Sequence, residues 1–318
     1  MTKLWINIID KLKGKKYVAG VSGGPDSMAM LDMYKKKIKV VCHIDYGKRE
    51  SSKRDKEIVI NFCQKNNIIC EVLTVTDEIY NLYDDVNNFQ KKARMIRYDF
   101  FKQIADKYNL NHLMLAHHLD DHLETAYMLQ SKESKALFYG IKKKTIINNL
   151  NVYRPLIDLR KTTLIRYCNE HHISYGFDET NDSTIYERNA VRKMMADWSE
   201  ERIFQFIKKI NEYNKQNRWL DVNVQLGWTE FMNKDFDFDY FFIQTDSIQY
   251  YLMFYLLNHW KIKNVSEDKI NGILNFLSKK NQATRKYRVQ DNTFITVNEN
   301  KKIALYIKDN EEKELIID

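Results

Sequence analysis

The stretch GVSGGPDS, residues 20–27, places three of the chain's nine glycines at Gly20, Gly23 and Gly24. It lies between a short β-branched run, YVAGV (17–21), and MAMLDMYKKK (28–37), whose apolar residues recur at helical spacing. The sequence therefore predicts a strand, a glycine turn and a helix in direct succession. Such a junction aims backbone N–H groups and the positive end of a helix at one point, which favours an anion. Glycines at 23 and 24 are expected to take positive φ and let the backbone approach a phosphate. Pro25 suits the first helical turn, and Ser22 and Ser27 can donate to phosphate oxygens. Asp26 is the residue that a phosphate cradle alone does not call for, and a Mg²⁺ ion between carboxylate and phosphates would explain it. A plain turn followed by a capped helix has the same local composition. Neither the GxxxxGK[ST] loop nor the GxGxxG fingerprint occurs.

Outward from this turn the pattern repeats. Strand-like runs at IKVVCHI (38–44), ICEVLTV (69–75), HLMLA (112–116) and NVYRPL (151–156) alternate with helical stretches at 53–67, 89–109, 119–130 and 160–172. Strand–helix alternation of this kind predicts an α/β fold with a doubly wound, mostly parallel five-stranded sheet covered on both faces. From residue 198 the texture changes. A long amphipathic helix is expected over 198–220, then helices near 246–260 and 265–280 and a three-run antiparallel meander over 285–307. The division expected is 1–197 for the first domain and 198–318 for a smaller mixed α+β region.

Composition narrows the class. With 44% hydrophobic residues the chain can bury a sizeable core, and 51 Lys+Arg against 43 Asp+Glu leave a formal charge of +8. That sign suits a polyanionic partner, although drift toward lysine-rich composition produces it too. Cys42, Cys63, Cys70 and Cys168 form no CxxC pair and read as reduced core thiols. No run of about 18 apolar residues and no signal-like N-terminus appear, so a soluble cytoplasmic protein without a membrane partner is expected.

Three further segments carry chemistry. In AHHLDDHLET (116–125), His117, Asp120, Asp121 and Glu124 share one helical face. Carboxylates packed so closely are tolerable if they meet Mg²⁺ or an amine; a solvated acidic helix start is the simpler alternative. His118 and His122 have the spacing of a zinc HExxH, but Leu119 replaces its glutamate. In ARMIRY (93–98), Arg94 and Arg97 stand on adjacent turns, able to neutralise phosphates or a carboxylate, or simply to face water. In FDETNDSTIYERNAVR (177–192), an acidic loop precedes Glu187, Arg188, Asn189 and Arg192, which a capped helix after a turn also explains.

The SGGPDS loop resembles that of the N-type ATP pyrophosphatases, which cleave ATP between its α and β phosphates. Taken in order, SGGPDS, IDYGKR (44–49), ARMIRY, AHHLDDHLET, Arg154-Pro155-Leu156 and the set Asp178, Asn181, Arg188, Asn189, Arg192 resemble the tRNA(Ile)-lysidine synthase family over roughly residues 16–195. Tyr46 and Lys48 depart from the His and Leu usual there, and QSKESKALFYG (130–140) replaces an Arg-Gly-rich loop.

The resemblance implies an adenine-nucleotide α-hydrolase-like fold, ATP and Mg²⁺ as cofactors, and L-lysine and a tRNA(Ile) with a CAU anticodon as partners. It implies a ligase that activates C2 of the wobble cytidine as an adenylate and attaches lysine there. In that reading residues 22–27 hold ATP and Asp26 the metal. Asp121 and Glu124 hold the lysine ammonium, one of them taking its proton, His117 acts at the reacting centre, and Arg94 binds the lysine carboxylate or a phosphate. Arg97, Asp120, Arg188, Asn189 and Arg192 contact lysine or tRNA, while Lys142–Lys144 and Lys193 contact the tRNA backbone. The oligomeric state stays open, a homodimer included. A base thiolase of the same superfamily is the alternative, though such enzymes generally need reactive cysteines in pairs. A GMP-synthetase-like amidotransferase would need an ammonia source, and a non-catalytic RNA-binding module leaves Asp26 without a role.

Overall fold

The computed structural model describes residues 14–47, 51–83, 88–132, 135–176, 187–262, 265–279, 286–308 and 314–317. It divides into two compact units, Met1–Ile210 and Asn211–Asp318.

In the first unit, β1 (Tyr17–Gly20), β2 (Ile38–Asp45), β3 (Ile69–Thr74), β4 (His112–Leu115), β5 (Lys144–Ile147) and β6 (Leu150–Tyr153) form one sheet in the order β3-β2-β1-β4-β6-β5. Five strands are parallel and β5 runs antiparallel to β6. This corrects the expected five-stranded sheet. The lysine-rich segment at 142–144 leads into a hairpin closed by Asn148 and Asn149, with φ of 48° and 59°. A two-residue turn with both central residues at positive φ matches the strand twist, and Asn tolerates that region. Alternate residues of β5 are exposed, including Ile146, so no continuous apolar run betrayed the strand.

The helices of this unit are α1 (Pro25–Tyr34), α2 (Ser51–Lys65), α3 (Asp77–Asn81), α4 (Phe89–Lys107), α5 (Leu119–Ser131), α6 (Lys161–Glu170), α7 (Glu187–Ala196) and α8 (Glu200–Gln216). Alternate residues of β1 point to opposite faces. Ala19 joins Met28, Leu31, Val59, Leu164 and Cys168 in the core beneath α1, α2 and α6. Val18 joins Phe101, Ile104, Leu113 and Leu115 beneath α4. A third cluster, Leu123, Ala126, Trp198, Ile203 and Ile210, ties α8 to α5. That packing carries the first unit past the expected boundary at 197 and into α8. The helix expected over 198–220 ends at Gln216, and α9 (Arg218–Asn233) follows.

The second unit contains α9, α10 (Phe238–Phe242), α11 (Asp246–His259) and α12 (Glu267–Leu277), with the antiparallel sheet β10-β9-β8-β7. Its strands are β7 (Tyr287–Gln290), β8 (Thr293–Val297), β9 (Ile303–Lys308) and β10 (Glu314–Ile317), one more than the meander expected. Phe231, Phe241, Leu252, Leu256 and Ile273 are buried in it. Among the described residues, no helix is long and apolar enough to cross a membrane.

Gly20, the last residue of β1, sits against α4, and a Cβ there would lie 2.6 Å from Phe101 Cζ and 2.9 Å from Leu115 Cδ2. Both neighbours are buried ring or branch atoms, so Gly20→Ala forces α4 outward. Overpacking of this kind costs about 1–3 kcal/mol, and thermal unfolding should show a melting temperature lower by roughly 3–10 °C. An unchanged melting temperature would mean that α4 is not held against the strand end.

Candidate active site

β1 and β4 are neighbours at the point where the strand order reverses, and the crevice outside their carboxyl ends is where such sheets bind ligands. The loop after β1 turns at Gly23, whose φ is +95°. Gly24 differs from the expectation: it is the N-cap of α1 at φ −73°, and a Cβ would meet nothing nearer than Ser22 Oγ at 3.7 Å. Positive φ is thus needed at Gly23 only, because Gly24 has already turned toward the helix. Gly23 is also wedged against α2, with Asp55 Cβ 2.9 Å from where its own Cβ would be. Gly176 N donates to Gly23 O at 2.9 Å.

Ser27 is buried. Its Oγ accepts from the amides of Ser22 and Gly23, both at 3.2 Å, and donates to Gly24 O at 3.0 Å. Its hydroxyl therefore braces the loop, while the amides of Asp26 and Ser27, in the first helical turn, have no acceptor within the helix. Cys168 on α6 supports the same turn from below through Pro25 O.

Asp26 points from α1 toward the start of α5. Its Oδ1 is buried without a partner among the described residues, and its Oδ2 lies 3.6 Å from His118 Nε2. His118 is the hub of the cluster, with Asp120 and Asp121 oxygens each 3.5 Å from its ring nitrogens. Burial opposes a charged ring there, but Asp120, Asp26 and Asp121 outweigh it and push the pKa up to about 9. The imidazolium has no lone pair for Asp121 N, which lies 3.4 Å from Nδ1. The helix start is then capped by Asp121 Oδ2 accepting from His118 N at 3.0 Å. Asp120 accepts from Arg160 Nε at 2.8 Å and from Lys161 N at 2.7 Å, which locks the start of α6 to the start of α5. Although burial works the other way, these partners and His118 hold its carboxyl down at about 2.

His117 has the opposite character. Burial, reinforced by Arg154, Arg188 and Arg97 and opposed by Asp121, pulls its pKa to about 4, so the ring is neutral, with a buried Nδ1 that has no partner among the described residues. Arg154, from the RPL segment, is buried and donates from Nη1 to Lys142 O at 2.7 Å. The two ARMIRY arginines separate. Arg97 lines the crevice, whereas Arg94 is exposed and lies over the Tyr98 ring at 4.7 Å.

Glu124 is more enclosed than the amine-holding role anticipated. Its side chain is 3% exposed; Oε2 accepts from Arg188 Nε and Oε1 from Arg192 Nε, both at 2.8 Å. Arg188 also reaches Asp121 Oδ1 at 2.9 Å. Arg188 and Arg192, with Asn189 between them on α7, thus meet the carboxylates of α5. His122 is spent on the 138–141 turn, where its Nδ1 sits 3.0 Å from Ile141 N and Gly140 takes φ +97°, so the His118/His122 spacing serves two separate structural tasks. Of the tRNA candidates, Lys143 pairs with Asp158 and Lys142 lies over Phe138. Lys48, Asp178 and Asn181 lie outside the described residues.

Two cavities meet at this cluster. The smaller, about 310 Å³, has apolar walls from Cys42, Ile44, Phe101 and Leu115; the larger, about 650 Å³, reaches His43, Asp55, Phe89, Lys161 and Arg192. Ser22, Asp26, Ile44, Tyr46, Arg97 and Asp121 belong to both. Residues 2–198 match the PP-loop domain family. The chain is 50% identical over 305 residues to the tRNA(Ile)-lysidine synthase of Ureaplasma parvum, covering 96% of this chain and 92% of the relative. It is 38% identical to that of Malacoplasma penetrans, covering 92% and 99%. The chain belongs to the tRNA(Ile)-lysidine synthase family. In fold, its relation extends to the U34-tRNA thiolase NcsA from Methanococcus maripaludis, at a TM-score of 0.54 and 16% identity over 68% of this chain and 80% of that one.

Within this lysidine synthase scaffold, sequence reasoning missed His118, Arg160, Lys161 and the pair Asp55–Gly176. His118 was legible as the second residue of an HH pair at a helix N-cap, but its charge depends on three carboxylates converging from two helices. Arg160 and Gly176 carry no local signal: a Cβ on Gly176 would collide with Asp55 Oδ1, a contact between segments more than a hundred residues apart.

The Glu124 network yields a test. Glu124→Gln leaves Arg188 and Arg192 facing a neutral amide. With both arginines more than a third exposed, solvent screening limits the loss to about 1–3 kcal/mol. Calorimetry should therefore show a melting temperature roughly 3–10 °C lower. An unchanged melting temperature with a selective rise in KM for lysine would instead assign Glu124 to the amine.

Proposed function

We propose that the chain ligates L-lysine to C2 of the wobble cytidine of a tRNA(Ile) bearing a CAU anticodon, using ATP and Mg²⁺ in the cytoplasm. The observation that carries this reading is the meeting of two cavities at Asp26, Arg97 and Asp121. An apolar one of a size for a nucleoside opens into a larger charged one beside a glycine loop. One pocket can hold the adenosine of ATP while the other receives a second and a third reactant at the α-phosphate.

In the first step the C2 carbonyl oxygen attacks the α-phosphorus and pyrophosphate leaves. The free helix-start amides of Asp26 and Ser27 face the phosphates, and Arg97 adds a cation without a proton to lose. Asp26 fits a metal: its buried, unpartnered Oδ1 needs a positive partner, and Mg²⁺ binds through one or two carboxylates plus phosphate oxygens, not an all-protein cage. When bound, Mg²⁺ supplies charge neutralisation on the departing pyrophosphate. In the second step the lysine ε-nitrogen, having lost a proton, attacks C2; the bond from C2 to the AMP oxygen breaks and AMP departs. Asp121, within the same crevice, is placed to hold the ammonium and take its proton, and neutral His117 to accept a hydrogen bond at Nδ1. Arg94 is the less favoured anchor for the lysine carboxylate, since Arg97 lines the crevice. The thiolase alternative is disfavoured because the two cysteines in contact, Cys63 on α2 and Cys70 on β3, line neither cavity, and Cys42 is the one cysteine that does.

The second unit, and the +8 charge of the whole chain, are assigned to tRNA binding beyond the anticodon base. Log affinity should fall linearly with log salt, by about 0.7–0.9 for each phosphate neutralised; a flat dependence in a filter-binding titration would remove backbone contacts from the account.

The activity itself is tested by incubating the protein with ATP, lysine and a tRNA(Ile) transcript, then reading pyrophosphate release and lysidine by mass spectrometry. Asp26→Asn should keep its fold and lose at least about a hundredfold in pyrophosphate release, the scale of one metal-borne charge interaction. Release at close to the parent rate would take Asp26 out of the mechanism.

A further inference from the structure

Tyr46 lies just past the end of β2 and lines both cavities. Its hydroxyl donates to Ala93 O at 2.9 Å, so the ring is tethered to α4 rather than free to swing. Phe89, at the first turn of α4, stands edge-on to it with centroids 6.4 Å apart and planes at 66°, and Tyr80 continues the row at 6.2 Å from Phe89. Tyr46 and Phe89 are both half-exposed and both line the larger cavity, whose other described walls are mostly polar or charged. Side chains such as Asp45, Asp55 and Lys161 suit phosphates and ammonium groups and offer no flat surface, and the planar guanidinium of Arg192 is held by Glu124. The smaller cavity already has apolar walls of its own in Cys42, Phe101 and Leu115.

We propose that Tyr46, flanked by Phe89, is the stacking seat for the extruded pyrimidine base of the nucleic-acid substrate. The proposal rests on the reading given above, since it names where that substrate's base sits. An unstacked base has two exposed π faces, and proteins that bind single-stranded segments recover the lost stacking on aromatic side chains. A ring shared by both cavities places a base stacked on it beside the nucleotide pocket and within the same crevice as Asp26, Arg97 and Asp121. The hydroxyl tether matters because a fixed ring is already oriented when the base arrives, so less ordering remains to be done on binding. Tyr46 is thus a positioning residue for the base and takes no part in proton or phosphoryl transfer.

The test uses the full chain and two variants. Tyr46→Phe keeps the ring and loses the tether; Tyr46→Leu removes the ring. Three quantities are read: KM for tRNA(Ile) in pyrophosphate release, Kd for ATP, and quenching of pyrrolocytosine placed at the wobble position. Loss of one base–aromatic stack raises KM for tRNA by roughly 5- to 150-fold. Tyr46→Leu should show that rise with lost quenching and an ATP Kd within about twofold of the parent, while Tyr46→Phe keeps the quenching and the ATP Kd and raises KM for tRNA by only about two- to fivefold, the scale of ordering one side chain. A Tyr46→Leu protein that quenches and turns over tRNA like the parent would overturn the seat. A loss confined to ATP affinity would overturn it too, assigning the ring to adenine. If the parent makes no lysidine at all, the functional reading fails, and the quenching comparison still decides whether Tyr46 receives a pyrimidine.

Discussion

Burying several carboxylates at one helix start is favourable only if each meets a positive partner, and the neighbourhood of α5 is arranged around that constraint. Asp120 is met by Arg160 and the first amide of α6, Glu124 by Arg188 and Arg192 from α7, and Asp121 by Arg188 and the amide of His118. His118 stands among Asp26, Asp120 and Asp121 and is charged because of them. Removing any one partner strands a charge in a poorly solvated place, at a cost larger than the pair's own net stabilisation. The network therefore positions α1, α6 and α7 around α5 as much as it serves chemistry.

Asp26 is the member left incomplete. One of its oxygens faces His118 and the other has no partner among the described residues. A carboxylate with one oxygen unpartnered among the described residues, placed at the mouth of a loop with open helix-start amides, is poised for a cationic complement arriving with an anion. The adjoining histidines show how far local surroundings reach: His117 and His118 are sequence neighbours, yet one is held neutral by burial and arginines and the other charged by carboxylates.

The loop itself depends on backbone packing. Gly23 is fixed by its positive φ, by Asp55 of α2 and by the Gly176 amide, while Ser27 gathers the amides of Ser22 and Gly23. Ser27 was read from sequence as a phosphate donor and proves to be a brace. The same hydroxyl can serve either end, and only the turn's actual geometry chooses.

From the sequence alone, the parallel strands, the glycine turn at the end of β1, the acidic start of α5 and the family likeness were legible, because each is a local pattern: alternation, helical period or a short run of specified residues. The antiparallel strand at Lys144–Ile147 was hidden because half of it faces solvent, and the division within α8 because it rests on Trp198, Ile203 and Ile210 meeting α5. Which arginine of ARMIRY faces the crevice, whether Glu124 meets a substrate or two arginines of its own chain, and which of two adjacent histidines is charged were decided by the tertiary structure. Each depends on distances of a few ångströms between segments far apart in the chain, and the energies of buried charges vary steeply over such distances.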